Sequence, residues 1–352
     1  MIVLGEHYVT SHPLDFVRHE AREWSMSGRA ARSIAPGCDV LCFGSSMSTF
    51  AVIPSVFERV TGLKAYNLAV CSGPPPAAEN LLRQALNAGA QPKALLVEMH
   101  PNSLSDNPRE SLYLYPELLS IRESAVLARE ARDSWIFTAI IANKVLASLH
   151  SRDQIRSAVV SALRAERTHV RLKNLMVLRN KRLNSGALLL PESDFDGKIG
   201  PAFDKLLRDE PWKPTRSSAA SIRRFLDLAK SRNIPVFWHI PPFCPEMTTA
   251  RAKRGLDAAY ARHMCRLQTL YPNVTVVNAQ NSGFGTELFA DPVHMTRRGA
   301  VAYTESLAKA VVEGLNGEDS RWVTLPPYRP MIDDSLEDMK QSALAVPATL
   351  LR

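Results

Sequence analysis

Five short apolar runs recur along the chain, and most of the gaps between them carry helical patterns. The runs are 39–43 (DVLCF), 64–70 (KAYNLAV), 94–99 (ALLVEM), 234–240 (IPVFWHI) and 274–278 (VTVVN). A continuous apolar run of this length reads as a strand buried on both faces. Parallel strands need a crossover of about a dozen residues or more, usually a helix. Helical patterns at 52–61, 76–89, 217–232, 250–270 and 297–315 supply the crossovers. Gly62 stops the first of them, and Pro241-Pro242 stops the fourth strand. The pattern predicts an α/β fold, a three-layer α/β/α sandwich with about five parallel strands and right-handed crossovers.

One stretch breaks the alternation. Residues 103–214 contain no convincing strand but show helical periodicity at 116–132, 135–149, 152–165 and 169–182, then a looser tract. The chain therefore divides into a discontinuous core, 1–102 and 215–316, a helical insertion, 103–214, and a C-terminal extension, 317–352. The insertion either forms a lid over a site or adds helices to the scaffold. The extension, with its prolines and acidic residues, reads as a surface meander.

Composition narrows the class. With 45% hydrophobic and 22% charged residues in 352, the chain is neither disordered nor coiled-coil. No apolar run reaches the ~18–20 residues that span a bilayer. The N-terminus turns polar after four residues, which argues against a signal peptide or anchor and for a cytoplasmic location. Cys38, Cys42, Cys71, Cys244 and Cys265 form no zinc spacing and no C-x-x-C pair, so buried free thiols in a reducing compartment are expected. No metal is implied. Dinucleotide, phosphate-loop and zinc-protease motifs are absent, and no cofactor is expected.

The charge is concentrated. Arg152, Arg156, Arg164, Arg167, Arg171, Lys173, Arg179, Lys181 and Arg182 face only Asp153 and Glu166, a net +7 of the chain's +8. An apolar segment, 135–142 (WIFTAIIA), precedes them. Residues 135–182 could then contact an anionic membrane surface or an anionic polymer. The alternative is a solvated basic face beside a core helix. The basic run almost lacks aromatic residues, so no nucleic acid is expected.

Ligands of open α/β sheets bind at the carboxyl ends of the strands. Four polar features fall there: Gly44-Ser45-Ser46 after the first strand, Asn67 to Gly73 closing the second, His100-Pro101-Asn102 after the third, and Asp291-Pro292-Val293-His294 before the last helix. Singly, each has an ordinary explanation as a helix cap or turn. Asp three residues before His lets a carboxylate orient an imidazole whose other nitrogen is free to act as a base. His239, ending the fourth strand, is either a further lining residue or a packed core histidine.

Together and in this order, the four features resemble the SGNH/GDSL hydrolase superfamily. In that family a Ser follows the first strand, a Gly the second and an Asn the third, and a D-x-x-H precedes the final helix. The segment FADPVHMTRRGAVAYTESLAKAV is especially similar to the family's last block. The resemblance covers about 38–102 and 216–315 and implies a flavodoxin-like sheet. It implies Ser46 as nucleophile, His294 as base and Asp291 as the residue that orients it. The Ser46 N–H, the Gly73 N–H and the Asn102 amide would form the oxyanion hole. The chain departs from the pattern at Ser45, where the family carries Asp, which leaves Ser45 as a rival nucleophile. It departs again at His100 and Ser103, where the family carries Gly and Asp.

The expected activity is a serine hydrolase cleaving an acyl or acetyl ester through an acyl-enzyme. The expected substrate is a small-molecule ester or an acylated carbohydrate. Two alternatives remain at this level: an O-acyltransferase acting on a carbohydrate with the same residues, and a non-catalytic binding protein.

Overall fold

A computed structural model describes residues 2–164, 169–207, 212–317, 320–329, 333 and 335–351. Glu166 and Arg167 of the basic run lie outside these described residues. Six strands form one parallel sheet: β1 (Val40–Phe43), β2 (Ala65–Asn67), β3 (Ala94–Val97), β4 (Val236–Ile240), β5 (Val274–Asn278) and β6 (Trp322–Thr324). Their order is β2-β1-β3-β4-β5-β6. The chain runs from β1 outward to β2, then returns past β1 to β3. This reversal opens a crevice at the carboxyl ends of β1 and β3.

The two-residue alternation of side chains builds the layers. Leu41 and Phe43 of β1 join Leu95, Val97, Val236 and Trp238 in one apolar core, with the helices His19–Ser33, Pro75–Asn87 and Arg216–Ser231. Val40 and Cys42 point the other way. They join Leu96, Phe237 and Val277 in a second core under the helices Pro54–Thr61 and Arg297–Leu315. Each fully buried Leu or Phe contributes roughly 1.5–3 kcal/mol, so the two cores hold the sheet rigid beneath its loops.

Helices occupy the insertion at Ile121–Ala131, Ser134–Val145, Ala147–His150, Arg152–Leu163 and Val170–Leu183. Ile136 and Ile140 lie in the same apolar core as Leu41 and Trp238. The apolar segment 135–142 thus docks on the scaffold with one face, while Trp135 stays 57% exposed.

The extension after Asn316 corrects the expected surface meander. Its β6 pairs with β5, with Val276 opposite Trp322. A strand of three residues carries too little periodicity to be read from sequence, yet the open edge of β5 gives its backbone groups partners. Further on, the helix Met339–Leu344 packs on Val170–Leu183, where the Asn180 amide donates to the Glu337 carbonyl at 2.8 Å and to Ser342 Oγ at 3.0 Å.

The basic run is partly neutralised from within. Arg171 donates to both carboxylate oxygens of Asp15 at 2.7 Å. Arg179 grips Glu337 at 2.7 and 2.8 Å, and Asp153 pairs with Arg18. Lys181 is only 1% exposed. Its ammonium donates to Glu23 Oε1 and Ser27 Oγ at 3.1 Å and to the Ala69 carbonyl at 3.2 Å.

Candidate active site

Ser46 opens the short helix Ser46–Ala51 directly after β1. The turn into it requires Gly44: a Cβ there would stand 2.6 Å from the Glu98 carbonyl oxygen. Ser45 caps the helix and is buried. Its hydroxyl donates to Glu98 Oε2 at 2.7 Å and accepts from the Met47 N–H at 3.3 Å. The Ser45 N–H also donates to Glu98 Oε2, at 2.9 Å. Ser45 is therefore held beneath the turn, and Ser46 is the serine presented at the sheet edge.

Ser46 Oγ lies 2.8 Å from His294 Nε2, and His294 Nδ1 lies 2.7 Å from Asp291 Oδ2. The other Asp291 oxygen accepts the N–H groups of Val293 and His294 at 2.9 and 3.0 Å. A bridge between Phe289 and Met295 closes the loop that carries both residues. Burial pushes the Asp291 carboxyl up, but the His294 ring and the two N–H groups outweigh it and hold it below the usual value. An ionised Asp291 keeps the proton on Nδ1, so Nε2 is the basic nitrogen facing the serine hydroxyl. The Phe50 ring meets the His294 ring edge-on, centroids 5.0 Å apart, and limits how the imidazole can turn.

Ser46 and His294 line a cavity of about 340 Å³ over the β1/β3 crevice, and Asp291 stands outside its lining. The insertion builds much of its wall, with residues between Ser103 and Tyr115 on one side and Phe203 and Lys205 on another.

The other expected site residues separate. The Ser46 N–H is the first of its helix and has no acceptor within it. The Gly73 N–H donates to the Val70 carbonyl at 2.9 Å, closing its own turn. The Asn102 amide donates to the Lys205 carbonyl at 2.9 Å, and Asn102 does not line the cavity. Neither stands as the oxyanion donor expected of it: the Gly73 N–H is taken by its own turn, and Asn102, whose amide keeps a second N–H, lies outside the cavity lining.

His100 caps the same short helix that carries Asn102. It lines the cavity with Ser46 and His294. Its Nδ1 accepts the Ser103 N–H at 3.4 Å, capping the helix Pro101–Ser105. Burial, reinforced by the charges of Arg251 and Lys205, lowers its pKa to about 3. A neutral imidazole whose Nδ1 is an acceptor carries its proton on Nε2.

His239 is the packed core histidine of the two readings, not a lining residue of this cavity. It is fully buried, with Nδ1 2.9 Å from the Tyr303 hydroxyl and Nε2 3.5 Å from Ser48 Oγ, and it does not line the cavity. Alternation along β4 turns it toward the Arg297–Leu315 helix, while Trp238 faces the opposite core.

Three residues of the assembly had no clear signal in the sequence. Glu98, at the end of β3, is fully buried under the Ser45 turn and also accepts the His100 N–H at 2.8 Å. Burial pushes its carboxyl up. Lys181 and Glu23 brace the loop after β2, since Glu23 Oε1 accepts the Cys71 N–H at 3.0 Å as well as the lysine. In sequence Lys181 is one more charge in a basic run.

No family model matches the chain, and no curated protein matches it. Among the described residues, no group of three or more His, Cys, Asp or Glu could hold a metal ion, and no helix is long and apolar enough to cross a membrane.

Proposed function

We propose that the chain is a serine hydrolase that cleaves carboxylic esters. The continuous chain of contacts from Ser46 through His294 to Asp291, at the mouth of a cavity, carries this reading. The resemblance to the SGNH/GDSL hydrolases agrees with it.

In this reading Ser46 Oγ attacks the acyl carbon while His294 Nε2 takes the hydroxyl proton. Asp291 holds the imidazolium that forms. The Ser46 N–H and the His100 ring donate to the oxyanion, His100 in the role expected of Asn102. One such donor can be worth roughly 2.7–4 kcal/mol. His294 then passes its proton to the departing alkoxide oxygen. Water, deprotonated by His294, attacks the acyl carbon; the bond from that carbon to Ser46 Oγ breaks as His294 returns the proton to Oγ, releasing the acid and regenerating Ser46.

Fluorophosphonate labelling with peptide mapping tests the reading. An adduct on Ser46 that disappears in His294→Ala is the expected result. A folded protein that gains no adduct under any condition would sink it. With an acyl donor and a sugar present together, the ratio of transfer to hydrolysis separates the acyltransferase alternative.

A further inference from the structure

The inner wall of the cavity holds two polar groups that the hydrolytic chemistry does not use. Tyr115 is fully buried, and its hydroxyl has no hydrogen-bond partner among the described residues. Its ring stands edge-on to Trp24, centroids 5.8 Å apart, which fixes its place. Asp106 is half-buried, and its carboxylate accepts no hydrogen bond among the described residues. Both line the same cavity as Ser46 and His294. Burial raises the Asp106 carboxyl to about 6, with Lys205 opposing the shift and Glu110 adding to it. The Asp106 charge in turn adds to the effect of burial on the Tyr115 phenol.

Buried polar groups are ordinarily paired, so the unpaired Tyr115 hydroxyl marks a place for a ligand atom, and the Asp106 carboxylate on the same cavity lining is open to accept from one. We infer that Asp106 and Tyr115 form a subsite for the hydroxyl groups of a polyol, the alcohol portion of the ester that Ser46 cleaves. A carboxylate accepts from one or two hydroxyls, and a phenol both donates and accepts. A long alkyl chain would leave both groups desolvated and unpaired. Ser103 and Ser111 extend the polar wall.

This inference rests on the hydrolase reading for the identity of the ester, but the subsite can be tested without turnover. The probes are methyl glucoside for binding, and an O-acetylated methyl glucoside against p-nitrophenyl acetate for turnover. Saturation-transfer NMR on Ser46→Ala should detect methyl glucoside, and Asp106→Asn or Tyr115→Phe in that background should abolish the signal. In the Ser46 protein, either substitution should cut kcat/KM for the acetylated glucoside about 10-fold or more, mainly through KM. Turnover of p-nitrophenyl acetate should stay within about 2-fold, which also shows that the variants are folded. Glucoside binding that depends on Asp106, without turnover of any ester, would retain the subsite and reject the hydrolase. Turnover of p-nitrophenyl acetate with no glucoside binding, or with equal losses on both esters, would retain the hydrolase and overturn the subsite.

Discussion

The hydroxyl of Ser45 and the carboxylate of Glu98 meet at 2.7 Å in a fully buried site. That contact decides between two adjacent serines. It holds Ser45 under the turn, so that Ser46 is the one facing His294. The acid that anchors the turn comes from the end of β3, where the resemblance placed an aspartate within the turn itself.

Ser45→Ala is therefore expected to keep fluorophosphonate labelling at Ser46 while losing stability. Removing one partner of the buried Glu98 should cost about 1–3 kcal/mol, read as a lowered midpoint in urea. Ser46→Ala should show the reverse, no labelling and a nearly unchanged midpoint. Equal labelling of both variants would contradict the assignment.

The oxyanion donors give a second contrast. His100→Ala should lower kcat roughly 10²–10³-fold, with His100→Gln recovering part of the loss by restoring an N–H donor. Asn102→Ala should leave kcat within about 3-fold, because its amide serves the Lys205 carbonyl. If Asn102→Ala is the more damaging change, the loop rearranges on substrate binding and the proposed donor is wrong.

Lys181 and Glu23 form a buried pair that braces the loop after β2. Lys181→Met should destabilise the protein by about 3–5 kcal/mol, because it removes the cation from the buried pair and leaves the Glu23 carboxyl with only the Cys71 N–H. The double variant Lys181→Met with Glu23→Gln should recover most of that loss. Chemical denaturation of the four proteins forms the cycle, and additive losses would show that the pair does not act as a unit.

His239 makes the stability depend on pH in a defined direction. Burial lowers its pKa to about 3, against about 6.5 in the unfolded chain. The unfolded state then binds the extra proton, so the stabilising contribution is complete above about pH 6.5 and is lost as pH falls toward 3. The other titrating groups cancel in a comparison with His239→Asn. The stability advantage over that variant should shrink by up to about 1.4 kcal/mol for each pH unit below 6.5. A difference that stays constant from pH 7.5 to 5 would show that His239 titrates normally in the fold.

Strand and helix periodicity is a local property, and so the layers were legible. DVLCF, ALLVEM and IPVFWHI read as strands covered on both faces, and they appear as β1, β3 and β4. The last helix was readable to its ends, Arg297–Leu315. Ser46, Asp291 and His294 were readable as candidates because each sits where an element begins or ends, and the order of strands brings such edges together.

What tertiary structure alone decided were the contacts between distant segments. Ser45 and Ser46 differ only in which one Glu98 captures, 53 residues away. Asn102 and His100 share one turn, but the Lys205 carbonyl claims the first and the cavity receives the second. Lys181 belongs to a basic run in sequence and to a buried pair in space, because Glu23 and the Ala69 carbonyl wait beneath its helix. The strand β6 exists because β5 leaves an edge for it. Each of these outcomes depends on a hydrogen-bond partner supplied from elsewhere in the chain, and local pattern carries no record of that partner.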